Sequence, residues 1–126
     1  MAEQLANLAK NEKGELLDST SLTTSVPSNT YTSIRSIALK ANHTYIVCAS
    51  HQFAVSVANV ATVSRLYFGG VQAVVRNSNG MFNGGGVSLS AIVCPTADGS
   101  ITLDAWQGSG ETQSLSSIKM YAYQLD

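Results

Sequence analysis

Charged side chains are scarce in this sequence. Its 126 residues include seven Lys and Arg and eight Asp and Glu, so charged residues make up 12% of the chain, about half of the roughly 25% typical of soluble domains. Ser, Thr, Asn, Gln and Gly fill most of the other non-apolar positions. With a net charge of −1, the chain lacks the clustered cations that follow a phosphate backbone, and we expect no nucleic-acid partner.

Long apolar runs and cysteines are also few. No stretch approaches the roughly 18 apolar residues of a membrane-spanning helix, and the first residues, MAEQLANLAKNEKGELLD, lack the apolar core of a signal peptide. We therefore expect a chain made in the cytoplasm that neither enters a membrane nor follows the general secretory route. Cys48 and Cys94 end similar apolar segments. A buried pair of reduced thiols is the main expectation and a disulfide is the alternative.

The charges are distributed unevenly along the chain. Six of them lie in the first 18 residues, and the Ser- and Thr-rich stretch DSTSLTTSVPSN follows. This change predicts an N-terminal attachment or stalk peptide with its linker at residues 1–28, and a single folded domain at residues 29–126. A frayed terminus is the alternative for the N-terminal peptide.

A period of two dominates from residue 30 onward. Apolar residues alternate with others, as in the segment from Val87 to Val93, and turn residues such as Gly69-Gly70 separate the segments. The pattern predicts about eight strands and no helix, at residues 30–40, 44–50, 52–60, 63–68, 71–77, 86–94, 100–106 and 116–125. Such a pattern is typical of an all-β antiparallel sandwich, either a jelly roll or an immunoglobulin-like fold.

Two of these strands have large apolar residues on a second face. The last strand carries Tyr121, Tyr123 and Leu125 on the face opposite the apolar face that holds Ile118. In the strand 100–106, Trp106 lies on the face opposite the core-facing positions. A two-layer sandwich buries one face of each sheet, so the second face needs another cover. We predict that Trp106, Tyr121, Tyr123 and Leu125 contribute to a subunit interface. Packing under a loop of its own chain is the alternative for Trp106.

The C-terminal third, GGGVSLSAIVCPTADGSITLDAWQGSGETQSLSSIKMYAYQLD, resembles the closing strands of the tumour-necrosis-factor/complement-C1q jelly-roll family, particularly the head domains of bacteriophage fibres. The shared features are the pair Trp106-Gln107, the small-residue turn at 108–110 and a terminal strand that ends on Tyr123 and Leu125. The segment LKANHTYIVCAS is similar to the family's turn followed by Tyr and a strand. The resemblance covers about residues 30–126 and implies a homotrimer, with the final strand near the threefold axis and the chain ends at the base of the head.

No group of residues predicts catalysis or metal binding. His43, Cys48 and His51 lie within nine residues, but neither their spacing nor strand alternation fits a usual metal site, and we expect no metal or cofactor. Asp104 and Glu111 are candidates for the paired carboxylates of a glycosidase only by elimination. Because no nucleophile-elbow motif occurs, we predict no catalytic residue and no enzyme activity.

The glycine-rich segment NSNGMFNGGG at residues 77–86 predicts a mobile hairpin loop. Its residues Met81, Phe82 and Asn83 are candidate receptor contacts, and packing on the protein itself is the alternative. The leading hypothesis is a non-enzymatic virion protein, a trimeric phage fibre or appendage head that attaches to a host-surface glycan or protein and is held on the virion through residues 1–18. A capsid or baseplate decoration protein without a receptor role, or a bacterial C1q-like lectin or adhesin, is the alternative.

Overall fold

The computed structural model describes residues 16–54, 60–81 and 85–126 of the chain. These residues form eight strands: β1 Leu16–Val26, β2 Thr32–Leu39, β3 Tyr45–Ala54, β4 Val60–Phe68, β5 Val71–Met81, β6 Gly85–Val93, β7 Gly99–Gln107 and β8 Gln113–Gln124. Within this described part, no helix is long and apolar enough to cross a membrane.

The strands form two antiparallel sheets of four strands each, with the orders β1-β8-β3-β6 and β2-β7-β4-β5. The pairs β1·β8, β2·β7, β3·β6 and β4·β5 are nested along the chain, as in one long hairpin. Successive pairs of this hairpin belong to different sheets: β1·β8 and β3·β6 lie in one sheet, and β2·β7 and β4·β5 lie in the other. The long hairpin is therefore rolled up into a jelly roll. The prediction of an all-β, eight-stranded jelly-roll sandwich is confirmed.

The hydrophobic core lies between the two sheets and consists mainly of aliphatic side chains. Alternate residues of β8 reach it, but Leu115 and Ile118 are three positions apart and both are buried. The intervening Ser117 has a φ of 53°, and the register between β3 and β8 shifts at this point. A β-bulge therefore lets both side chains face the core. The largest fully buried apolar residues are Val26, Leu39, Tyr45, Val47, Phe53, Leu66, Ile101, Leu103, Leu115, Ile118 and Met120.

Residues 16–26 differ from the expected linker, and the attachment role of residues 1–28 stays a prediction. Residues 16–26 form β1, which pairs with β8 from Leu16 opposite Tyr123 to Val26 opposite Gln113. The stretch has no clean apolar alternation, yet Thr favours extended backbone and the ladder with β8 supplies the hydrogen bonds. The completely buried Val26 holds the end of this edge strand in the core.

Two further boundaries differ from the prediction. The segments 44–50 and 52–60 were expected to be separate strands, but Tyr45–Ala54 is one strand, β3, that pairs with β6 and β8. The loop expected at 77–86 is also wrong in part, because β5 continues to Met81 and β6 begins at Gly85. Backbone pairing with β4 sustains β5 there although the side chains are small and polar. The expected turn at Gly69-Gly70 is confirmed, with both φ angles positive, as a two-residue hairpin turn requires.

The sandwich has two distinct ends. At one end, Leu16 pairs with Tyr123, and the Leu125 N–H donates to the Thr44 carbonyl oxygen at 2.8 Å. We call this the base end, because the first described residue and the C-terminus both lie there. The opposite, far end holds the end of β1 at Val26 and the start of β8.

Candidate functional site

The outer face of the β1-β8-β3-β6 sheet carries an apolar patch near the base end. Ile46 of β3 lies opposite Ile92 of β6 on one side and opposite Tyr123 of β8 on the other. Leu125 follows Tyr123 towards the base, and Tyr121 precedes it. Ile92 is 72% exposed, and Tyr121, Tyr123 and Leu125 are each exposed by more than a third. We call Ile46, Ile92, Tyr123 and Leu125 the apolar patch, and Tyr121 borders it on the side of the far end.

Towards the far end the same outer face changes to small polar residues. Ser50 of β3 pairs with Ser88 of β6 and with Lys119 of β8, and the neighbouring row places Cys48 between Ser90 and Tyr121. Two shallow depressions of about 340 and about 270 Å³ lie side by side here and share Ser50 and Ser88. We call them together the serine groove, which the sequence analysis did not identify.

Both cysteines are free in the structure, as expected, but they are not a buried pair. Cys48 is half-buried and Cys94 is exposed. Alternation along β3 turns Cys48 away from the core, between the buried Val47 and Ala49. Its thiol forms a hydrogen bond with the Tyr121 side chain, which raises the pKa of that phenol.

The four residues predicted for the subunit interface do not lie on one surface. Tyr123 and Leu125 belong to the apolar patch and Tyr121 borders it, whereas Trp106 is on β7 in the opposite sheet. The Trp106 ring packs against Gly108 in the turn after β7, where an added Cβ would approach it to 3.0 Å. The structure thus brings together only the β8 members of the predicted set.

A cluster around Arg65 covers part of the outer face of the β2-β7-β4-β5 sheet. The Arg65 guanidinium carbon lies 3.8 Å from the centre of the Tyr31 ring and 4.2 Å from that of Tyr67, and its Nε donates to Asp104 Oδ2 at 2.9 Å. Asp104 is 6% exposed. Its carboxylate is therefore occupied by a cation, while Glu111 is exposed in the turn before β8. No contact among the described residues brings these two carboxylates together as the pair of a glycosidase.

His51 and Ser64 connect the two sheets inside the core. His51 Nε2 lies 2.8 Å from Ser64 Oγ, and the His51 ring meets Phe53 edge to face at 4.9 Å. His51 Nδ1 is buried and has no hydrogen-bond partner among the described residues. Burial lowers the pKa of His51 to about 4. Both side chains are almost completely buried, so this His–Ser pair has no access for a substrate and serves the packing of the core.

The remaining candidates lie apart from one another. His43 Nδ1 is 3.5 Å from the Asp126 carboxylate at the base end, where a hydrogen bond from the Thr44 N–H chiefly lowers the pKa of Asp126. Among the residues that the structure describes, no three His, Cys, Asp or Glu side chains come together as a metal site. Met81 ends β5 at the far end. Phe82, Asn83 and the Met81 side chain lie outside what is described.

Comparison with known proteins identifies the fold but no family. No family model and no curated protein matches the sequence. Among solved structures, infectious bursal disease virus, Gt strain, matches with a TM-score of 0.58 at 16% identity, over 89% of this chain and 33% of that chain. The VP2 subviral particle of the same virus matches with a TM-score of 0.60 at 14% identity, over 90% and 32%. This chain therefore spans about a third of the length of those proteins.

A third match is to the pili of Bacillus endospore appendages, at 15% identity over 92% of this chain and 94% of that chain. Its TM-score of 0.44 is too low to support an argument. At these identities the virus structures show the jelly-roll fold alone. They do not confirm the finer resemblance to tumour-necrosis-factor/C1q heads.

Proposed function

We propose that the chain is a non-enzymatic structural subunit of a virus particle, the head of a trimeric fibre or appendage that attaches to the host surface. The apolar patch is the observation that carries the proposal. Ile92, Tyr123 and Leu125 stand exposed on the flat outer face of a sheet that is already packed on its other side. Contiguous apolar surface of this kind marks a protein contact, and a second copy of the chain covers it.

The position of the patch supports an anchored assembly. The first described residue, Leu16, lies opposite Tyr123, so β1 begins beside the patch. Contact between copies through the patch would bring the starts of their β1 strands close to one another at the base. Attachment to a particle through the residues that precede β1 would then leave the far end pointing outward.

The threefold order of the assembly rests on the resemblance to trimeric heads, and the particle role is supported by the fold. Double-sheet jelly rolls are common in viral capsid and lectin domains. The fold likeness to particle proteins of infectious bursal disease virus agrees with this role. Attachment to the host distinguishes this proposal from a decoration protein without a receptor.

The test is to tag the chain in the cells that produce it and to purify virus particles from them. We expect the tagged chain in the particles and expect Ile92→Ser/Tyr123→Ser to be lost from them. The control Val75→Ser, which changes an exposed apolar residue of the opposite sheet, should be retained. Recovery of the wild-type chain on cell surfaces but never in particles would refute the virion role and favour the adhesin.

A further inference from the structure

The serine groove exists because small residues lie between larger ones. Ser50 and Ser88 face each other across β3 and β6, and Tyr121 borders the groove at the end nearest the apolar patch. At Gly86 an added Cβ would meet no atom within 4 Å, so the groove stays open towards the far end. The larger volume, about 340 Å³, reaches the lower part of the range for small-molecule sites, roughly 300–1,000 Å³, and the smaller, about 270 Å³, lies just below it.

The groups in the groove restrict the chemistry of its ligand. The hydroxyls of Ser50, Ser88 and Ser90 form no hydrogen bond with any other residue that the structure describes, so each is available to donate and to accept. The backbone of β3 below them is already paired on both sides. An extended peptide could therefore add as a strand only beside β6, the edge strand of this sheet, and not over the groove. Lys119 is the one charged side chain among the described residues that line the groove, which disfavours a polyanion.

From these observations we propose that the serine groove binds a neutral oligosaccharide. Sugar hydroxyls would exchange hydrogen bonds with the three serines, and a sugar ring would pack against Tyr121, which is 39% exposed. The groove runs from Tyr121 towards the far end, away from the base, so it remains open when copies meet through the apolar patch. The inference rests on the proposed attachment function and names its ligand class.

The test is binding of the purified full chain to a printed array of neutral, uronic-acid-bearing and sialylated oligosaccharides. The strongest neutral ligand is then titrated into Ser50→Ala/Ser88→Ala. The control, Ser36→Ala/Ser100→Ala, removes two exposed hydroxyls from the opposite sheet. We expect the groove variant to bind roughly tenfold or more weakly, because two hydrogen bonds are lost, and the control to bind like wild type.

Folding is monitored in each variant by its thermal transition, which serine-to-alanine changes at the half-buried Ser50 and at the exposed Ser88, Ser36 and Ser100 should leave nearly unchanged. The proposal is overturned if no neutral oligosaccharide is retained, if only acidic ones are, or if the groove variant binds as tightly as wild type. Light scattering on the same samples separates the two proposals. A trimer that binds no neutral sugar contradicts the groove assignment alone, whereas a monomer contradicts the proposed assembly.

Discussion

The buried His51 makes the stability of this domain depend on pH. In the folded state the ring is enclosed by the core, with one nitrogen bonded to Ser64 and the other without a partner among the described residues, and its pKa falls from 6.5 to about 4. In the unfolded chain the imidazole is in water and protonates near its ordinary pKa. Acidification therefore favours the unfolded state, since that state takes up the proton first.

The size of the effect follows from the two pKa values. A difference of about 2.5 units at about 1.4 kcal/mol per unit corresponds to roughly 3 kcal/mol. The contribution of neutral His51 is fully present above about pH 6.5 and is lost as the pH falls towards about 4. At about pH 5 the expected loss in the free energy of unfolding is about 2 kcal/mol, a large share of the stability of a domain of this size.

Urea unfolding, followed by Trp106 fluorescence at one fixed protein concentration, measures this loss between about pH 7 and about pH 5. His51→Gln should remove most of the dependence on pH in this interval, even if it lowers stability at neutral pH. His43→Gln, at the surface of the base end, should keep the wild-type slope. A wild-type stability that stays level across the interval, or an unchanged slope in His51→Gln, would refute the reasoning.

Two further predictions concern the outer cluster and the core. Arg65→Ala leaves the nearly buried Asp104 carboxylate without its cation and removes both ring contacts, and should lower the free energy of unfolding by roughly 2–4 kcal/mol in urea titrations. Arg65→Met/Asp104→Leu should recover much of that loss, and a double variant no more stable than Arg65→Ala would contradict this assignment. Leu103→Ala leaves a cavity between the sheets and should cost roughly 2–5 kcal/mol. Val75→Ala, at an exposed position, should change thermal stability little, and equal losses in the two variants would contradict the placement of the core.

The alternation of side chains predicted the fold well because one face of each sheet is buried. The inward residues Ile101 and Leu103 are identified by that pattern alone, and so is the outward direction of Tyr121 and Tyr123. The pattern failed at β1, where an edge strand of Ser and Thr is held by its pairing with β8 and by Val26. Such pairing depends on residues far away in the chain, which a local pattern does not contain.

The candidate site was only partly predictable for the same reason. The outward apolar residues of β8 were visible in the sequence, but Ile46 and Ile92 join them only through the register of β3 with β6 and β8. The serine groove likewise depends on Ser50 and Ser88 meeting across two strands. In the sequence these serines are indistinguishable from the many others that coat the domain.

The mass of the purified chain in solution tests the central claim most directly. Assembly through the apolar patch predicts a mass of about three times 13.2 kDa for wild type and for Val75→Ser, and 13.2 kDa for Ile92→Ser/Tyr123→Ser. Sedimentation equilibrium over a range of protein concentrations measures all three. A monomeric wild-type protein at every concentration, or a double variant that keeps the wild-type mass, would contradict assembly through the apolar patch.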